Sequence, residues 1–330
     1  IAFEPETTLY RLRSASRSFQ SKPYVTVDDA QTLSVGAIDE TRCGQYWQFE
    51  PEGEGYKLSS QGLSIVKIAT TANQQVVVGD TPGTIYLVDL GGCHFTIRGS
   101  KTTVNALLAG ASALTTGVAT SPNAVWYLEP AKTINVDFSD SFVKPFHAAF
   151  DAKPAEGTAA VAYYATGIAG QPTDGQAELT TATLPTDLIP AGTPVLLDSK
   201  GSKTVALQVY PKTTEPQAKA AAATPTDNIF RGTFLKTSVA RNVAFLLDSE
   251  AEQPVMKLNV MTSLPANTVY IPAEEMPEGT KELTFDTTFT GIEAIKANQS
   301  DVPQYDMQGR RLTETPAKGV YIYKGKKVIK

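Results

Sequence analysis

The chain has 330 residues, 42% of them hydrophobic and 19% charged, with a formal net charge of −5 at pH 7. That length exceeds one ordinary core and that composition is globular, not disordered. The acidic balance excludes a nucleic-acid footprint, which needs concentrated Lys and Arg. No run reaches the roughly 18 apolar residues of a membrane helix, so no transmembrane segment is expected. Thr, Val, Tyr and Phe are plentiful, and 24 Gly and 21 Pro punctuate the chain. Many short strands joined by turns have this composition, and the fold class is read as all-β. The chain opens Ile1-Ala2-Phe3-Glu4-Pro5, with neither Met nor the charged and apolar regions of a signal peptide.

The first third repeats itself. Tyr10-Arg11-Leu12-Arg13, Tyr56-Lys57-Leu58-Ser59 and Phe95-Thr96-Ile97-Arg98 each alternate apolar with polar, as half-buried strands do. Each leads through a turn to a second apolar strand: Tyr24-Val25-Thr26-Val27, Leu63-Ser64-Ile65 and Ala106-Leu107-Leu108. Each unit ends in an aromatic-containing strand. The first carries Gln45-Tyr46-Trp47-Gln48-Phe49-Glu50-Pro51, the second Thr84-Ile85-Tyr86-Leu87-Val88 and the third Val125-Trp126-Tyr127-Leu128-Glu129-Pro130. Tyr86 follows Trp47 by 39 residues and Trp126 follows Tyr86 by 40. Three units of four short strands, none able to bury its apolar face alone, read as a closed pseudo-three-fold barrel. Trp47, Tyr86 and Trp126 are expected to fill equivalent core positions.

Gln45-Tyr46-Trp47 is a Gln-x-Trp triplet, and the segment resembles the ricin-type β-trefoil lectins, whose repeats end in it. The other two units lack the Gln. In such lectins the Trp fills the core, while an Asp at the second-strand turn and an Asn beside the Gln take sugar hydroxyls. The resemblance implies a carbohydrate site at Gln45, with Thr26 where that Asp lies and Asp28 and Asp29 just beyond. Gly44 stands in place of the Asn.

From about Ile134 longer alternating runs appear, among them Ala160–Ala165, Val195–Leu197, Val205–Val209, Val243–Leu247 and Val269–Ile271. Pro- and Gly-rich turns separate them, the pattern of an antiparallel β-sandwich. Glu215 to Ala223 reads as a short helix or a loop. Pro190-Ala191-Gly192-Thr193 and Pro265-Ala266-Asn267-Thr268 repeat one turn, whose third position suits a residue with positive φ. The turn is similar to a module common in exported proteins of Bacteroidales-type bacteria.

After a polar linker come Tyr305-Asp306-Met307-Gln308-Gly309-Arg310-Arg311-Leu312 and Lys318-Gly319-Val320-Tyr321-Ile322-Tyr323-Lys324-Gly325-Lys326-Lys327-Val328-Ile329-Lys330. They read as strands and a hairpin turning at Gly309 and Gly325. This segment looks like the C-terminal tail of Bacteroidales secreted proteins, related to type IX sorting tails. The resemblance implies a secreted or cell-surface protein whose signal peptide has been removed. In an oxidising compartment Cys43 and Cys93, the only two cysteines, either pair or remain two separately buried thiols.

Motifs of catalysis are missing from the sequence: no Gly-x-Ser-x-Gly, His-Glu-x-x-His or phosphate loop occurs. His94 and His147 have no second ligand at a zinc spacing, and Asp137 and Asp140 lack the further oxygens of a calcium loop. No cofactor, metal or catalytic residue is therefore expected. The expected organisation is a β-trefoil over 1–131, a β-sandwich over 132–292, and a linker with a C-terminal β-hairpin tail over 293–330. The expected function is non-catalytic binding of glycan or polysaccharide. The alternatives are a structural adhesion or protein-interaction module, with surface proteins as partners, and a degradative glycoside hydrolase using paired carboxylates.

Overall fold

The structure, a computed structural model, describes residues 3–28, 31–212, 223–248 and 254–285, together with four short strands between 304 and 329. The candidate sugar-binding residue Asp29, nearly all of the Glu215–Ala223 segment, the polar linker and the turns at Gly309 and Gly325 lie outside the described residues. Residues Ile1–Asp286 form one compact unit and Thr287–Lys330 another.

Twelve strands build the first third. The first repeat holds β1 (Leu9–Ser14), β2 (Tyr24–Val27), β3 (Leu33–Gly36) and β4 (Gln48–Glu52). The second holds β5 (Gly55–Ser60), β6 (Leu63–Ile65), β7 (Val78–Gly79) and β8 (Tyr86–Gly91). The third holds β9 (His94–Arg98), β10 (Asn105–Leu108), β11 (Thr115–Val118) and β12 (Trp126–Ala131). The outer strands of the repeats close a barrel. β1 pairs with β12, β12 with β9, β9 with β8 and β4 with β5, while bridges Tyr10–Trp47 and Tyr56–Ile85 complete the ring. The inner strands form three hairpins, tied together where Leu114 N–H donates to Leu33 O and Val76 N–H to Leu114 O. Twelve strands in three four-stranded units, six in the barrel and six in hairpins, are a β-trefoil.

The bridges define which residues are equivalent. Tyr10 faces Trp47, Tyr56 faces Ile85 and Phe95 faces Trp126. Trp47, Ile85 and Trp126 are each 0% exposed, and both indoles are held alike, Trp47 Nε1 donating to Val25 O and Trp126 Nε1 to Leu107 O. The expected core position at Tyr86 is corrected to Ile85. Strand side chains alternate, so a slip of one residue puts Tyr86 on the outer face, where it is half-buried. The barrel's mouth is filled from outside the repeats. Phe3 lies 5.2, 5.5 and 6.2 Å from the rings of Tyr10, Tyr56 and Phe95, the leading aromatic of each repeat.

Among the described residues fourteen strands follow: β13 (Thr133–Asp137), β14 (Val143–Phe146), β15 (Asp151–Pro154), β16 (Val161–Thr173), β17 (Gln176–Thr183), β18 (Val195–Asp198) and β19 (Thr204–Tyr210), then β20 (Arg231–Gly232), β21 (Thr237–Ser238), β22 (Ala244–Asp248), β23 (Val255–Leu258), β24 (Ser263–Leu264), β25 (Val269–Pro272) and β26 (Glu282–Phe285). A three-stranded sheet, β13-β19-β15, faces a nine-stranded one, β14-β18-β16-β17-β26-β23-β22-β25-β20. Ile134, Ala152, Val205 and Leu207 of the small sheet share one core with Phe146, Val195 and Leu197 of the large one. This is the sandwich. Its ladders are antiparallel except β17–β26, which run parallel, a pairing open to them because most of the sandwich intervenes between the two strands. Gly192 (φ 77°) and Asn267 (φ 55°) occupy the left-handed conformation in the two related turns, as their residue types suggest.

The sandwich core also takes in Leu9, Cys43 and Tyr46 from the trefoil, so the two modules share apolar contacts. In the second unit, β27 (Gln304–Tyr305), β28 (Arg311–Leu312), β29 (Val320–Tyr323) and β30 (Lys326–Ile329) form one sheet in the order β28-β27-β29-β30. β29 and β30 are an antiparallel hairpin running from Val320–Ile329 to Tyr323–Lys326.

Candidate functional site

The expected sugar-binding residues centre on a 3-10 turn, Cys43–Gln45, that leads into β4. Gln45 is 2% exposed and Thr26 5%. The Gln45 amide is fully engaged at its donor end, Nε2 giving one hydrogen bond to Thr26 Oγ1 at 3.0 Å and one to Ala37 O at 2.7 Å. Its Oε1 accepts from Asp39 N–H at 2.9 Å. Gln45 and Thr26 therefore do meet, but inside the protein, where the amide latches the loop after β3 onto β2. Asp28 stands at the β2–β3 turn and accepts from Thr32 N–H at 2.8 Å. Gly44 is fixed by a close approach, since a Cβ there would lie 2.7 Å from Val27 O. An Asn at that position has no room.

The latch belongs to one repeat. Two residues before Ile85 stands Gly83, and two before Trp126 stands Ala124. At Gly83 a Cβ would come within 2.0 Å of Val66 O. The second repeat thus excludes any side chain at this point, and the third has only a methyl group.

Sequence reasoning passed over the middle residue of the triplet. Tyr46 is 2% exposed and turns its ring toward the sandwich, 5.2 Å from that of Phe150. Its hydroxyl donates to Thr133 O at 2.7 Å and accepts from Arg11 Nη2 at 2.8 Å. Burial raises its pKa to about 12 against the pull of Arg11. A second junction follows the β5–β6 turn. Gln61 Nε2 donates to Asn267 Oδ1 at 2.6 Å while Asn267 Nδ2 donates to Gln61 Oε1 at 3.0 Å. Asn267 also donates to His147 O at 2.9 Å. The His147 ring stacks on Phe234, 4.3 Å between centroids, with Nδ1 3.1 Å from Thr233 O. Burial lowers its pKa.

The remaining candidates have partners within the protein. His94 packs 4.0 Å from Tyr127 and its Nδ1 lies 3.2 Å from Gly91 O. Asp137 accepts from the backbone and hydroxyl of Ser139, and Asp140 pairs with Lys144, which lowers its pKa. Among the described residues no three His, Cys, Asp or Glu group together as metal ligands, and no helix is long and apolar enough to cross a membrane. Of the two readings of the cysteines, no disulfide joins them, and of the two thiols only that of Cys43 is buried. Cys43 is buried in the core shared with the sandwich, where burial raises its thiol pKa to about 12, and Cys93 is exposed at the β8–β9 turn.

No protein-family model matches the chain, and no curated protein matches it. Among solved structures it is similar to the Macrolepiota procera ricin B-like lectin in complex with lactose, at 14% identity over 39% of this chain and 99% of that one, TM-score 0.33. It is similar to SeviL bound to asialo-GM1 saccharide, at 11% identity over 37% and 96%, TM-score 0.31. The designed 3-fold symmetric protein ThreeFoil is a further neighbour, at 17% identity over 37% and 97%, TM-score 0.30. The solved neighbours thus include ricin B-like β-trefoil lectins, at low identity and over part of this chain.

Proposed function

We propose that the protein is exported and binds glycan or polysaccharide at the cell surface without transforming it, through a trefoil module spanning 1–131. The observation that carries this reading is the first-repeat latch. Gln45 fixes the loop Ala37–Asp39 beside β2 and the Asp28 turn, and neither Gly83 nor Ala124 has a side chain to do the same. One glycan per trefoil is the expected stoichiometry, bound at the outer surface of that loop. In the same reading the sandwich, 132–292, presents the trefoil. The tail, 293–330, addresses the chain for type IX-like export, on the strength of its resemblance to Bacteroidales tails.

One observation favours a second reading, a protein-interaction or adhesion module. The residues that would meet the sugar, Gln45 and Thr26, are buried and bonded to one another. A glycan array probed with the full chain separates the two. The expected result is retention on a subset of glycans, weakened by Asp28→Ala in a variant whose circular dichroism is unchanged. A folded chain that no glycan retains overturns the carbohydrate reading and leaves the adhesion module.

A further inference from the structure

One contact between the modules runs through a strap of the sandwich, Thr233-Phe234-Leu235. Gln61 of the trefoil donates from Nε2 to Phe234 O at 3.0 Å, and Leu235 packs against the trefoil core. The Phe234 ring is covered by both modules. Gly62 approaches it so closely that a Cβ there would lie 2.9 Å from Phe234 Cδ2, and His147 stacks on it, 17° from parallel. Asn267 joins the same partners, exchanging hydrogen bonds with Gln61 and donating to His147 O. The β5–β6 turn, the strap and the imidazole therefore form one contact.

The surroundings of the ring suit its neutral form. His147 is 4% exposed, and Gly232 walls it off, since a Cβ there would lie 2.4 Å from the ring. A carbonyl only accepts, so Nδ1, 3.1 Å from Thr233 O, carries the proton of the neutral imidazole. No carboxylate faces it. The stretches packed round it, 60–63, 190–193, 230–234 and 265–268, hold one charged residue, Arg231, which pairs with Glu275 at 2.9 Å. Asp151, four residues along the ring's own segment, accepts from Ala191 N–H at 2.7 Å. Burial lowers the ring's pKa from 6.5 more than its hydrogen bonds to the Thr233 and Gly192 backbone raise it. A second proton would place an unpaired cation inside the contact. Moving the strap off Gln61 and Gly62 uncovers Phe234 and lets water reach the ring, so the proton favours the open form.

We infer that His147 makes this contact an acid-released latch between the modules: proton uptake by the imidazole frees the strap from the β5–β6 turn, while the Tyr46 side of the junction stays docked. The latch is independent of the carbohydrate reading. It is whole above about pH 6.5 and weakens as pH falls from there toward the lower value of the closed form. Release takes up one proton, so the equilibrium shifts by at most about tenfold per pH unit. Asp151, whose pKa burial raises, acts in the opposite sense, and a variant at His147 separates the two.

Hydrogen exchange of the full chain between pH 7.5 and 5.5, corrected for the intrinsic pH dependence of amide exchange, tests the latch. On acidification, exchange at residues 61–63 and 233–235 is expected to quicken about fivefold to tenfold, with β1 and β12 unchanged. In His147→Gln, whose amide still donates to Thr233 O but takes up no proton, both segments are expected to hold their rates. Level rates in the wild type, quickening confined to 233–235, or a His147→Gln variant that quickens as much as wild type each overturn the latch. Should His147→Gln fail to fold, Gln61→Ala decides the matter. With the bond to Phe234 O already lost, both segments are expected to exchange fast at either pH, and an undiminished acid response overturns the latch.

Discussion

The equivalence of Ile85 with Trp47 and Trp126 is open to a sharp thermodynamic test. Ile85 is 0% exposed and bridges Tyr56 across the barrel, whereas Tyr86 is half-buried on the outside. Ile85→Ala removes three buried carbons, each worth about 0.8 kcal/mol in transfer from water. The cavity left in a closed barrel raises the total to about 3–4 kcal/mol. Tyr86→Ala removes a larger side chain but one still in contact with water, and is expected to cost about 1 kcal/mol. The predicted gap of about 2 kcal/mol corresponds to more than a tenfold difference in the unfolding equilibrium. Urea denaturation followed by tryptophan fluorescence reads it without interference, because the chain's two tryptophans, Trp47 and Trp126, both lie in the trefoil core. The midpoint should fall much further for Ile85→Ala, at unchanged slope. A Tyr86→Ala variant as unstable as Ile85→Ala, or more so, would refute the register.

Phe3→Ala is expected to cost about 2 kcal/mol in the same assay, since the ring is only partly buried yet packs on one aromatic from each repeat. Gln45→Ala breaks three hydrogen bonds and strips buried partners of their contacts. A loss of about 2 kcal/mol is expected, with faster hydrogen exchange at the Asp39 amide. His147 has a folded pKa lowered from 6.5 by burial, so the unfolded chain takes up the proton first. Its contribution to stability is whole above about pH 6.5 and declines as pH falls from there toward the folded value. Relative to His147→Phe, the wild type should therefore lose ground between pH 7.5 and 5.5, and a stability difference independent of pH would rule the assignment out.

The opening strands were legible because Tyr10-Arg11-Leu12-Arg13 and its two counterparts alternate plainly, and one buried face leaves only one register. The second closing strand was not, because Thr84-Ile85-Tyr86-Leu87-Val88 is apolar on both parities. There aromatic identity suggested Tyr86, while the pairing that decides for Ile85 is a bridge to Tyr56, 29 residues away. The candidate site divided in the same way. The Gln45–Thr26 meeting follows from neighbouring strands of one repeat. The burial that turns Gln45 into a latch depends on how loop 37–39 closes over it, which spacing does not record.

The junction was beyond the reach of pattern for a related reason. Tyr46 bonds a carbonyl 87 residues on and Gln61 an amide 206 residues on, and neither side chain belongs to a local motif. Tyr46 nevertheless occupies the variable position of the triplet that organises the first repeat. Gln45 and Trp47, at the end of the 3-10 turn and just before β4, are buried in the trefoil, and Tyr46 between them turns the other way. That residue is an aromatic, and the surface it meets is the sandwich. The same three residues therefore build the barrel and dock it against the sandwich, while the exchange between Gln61 and Asn267 holds the β5–β6 turn there independently.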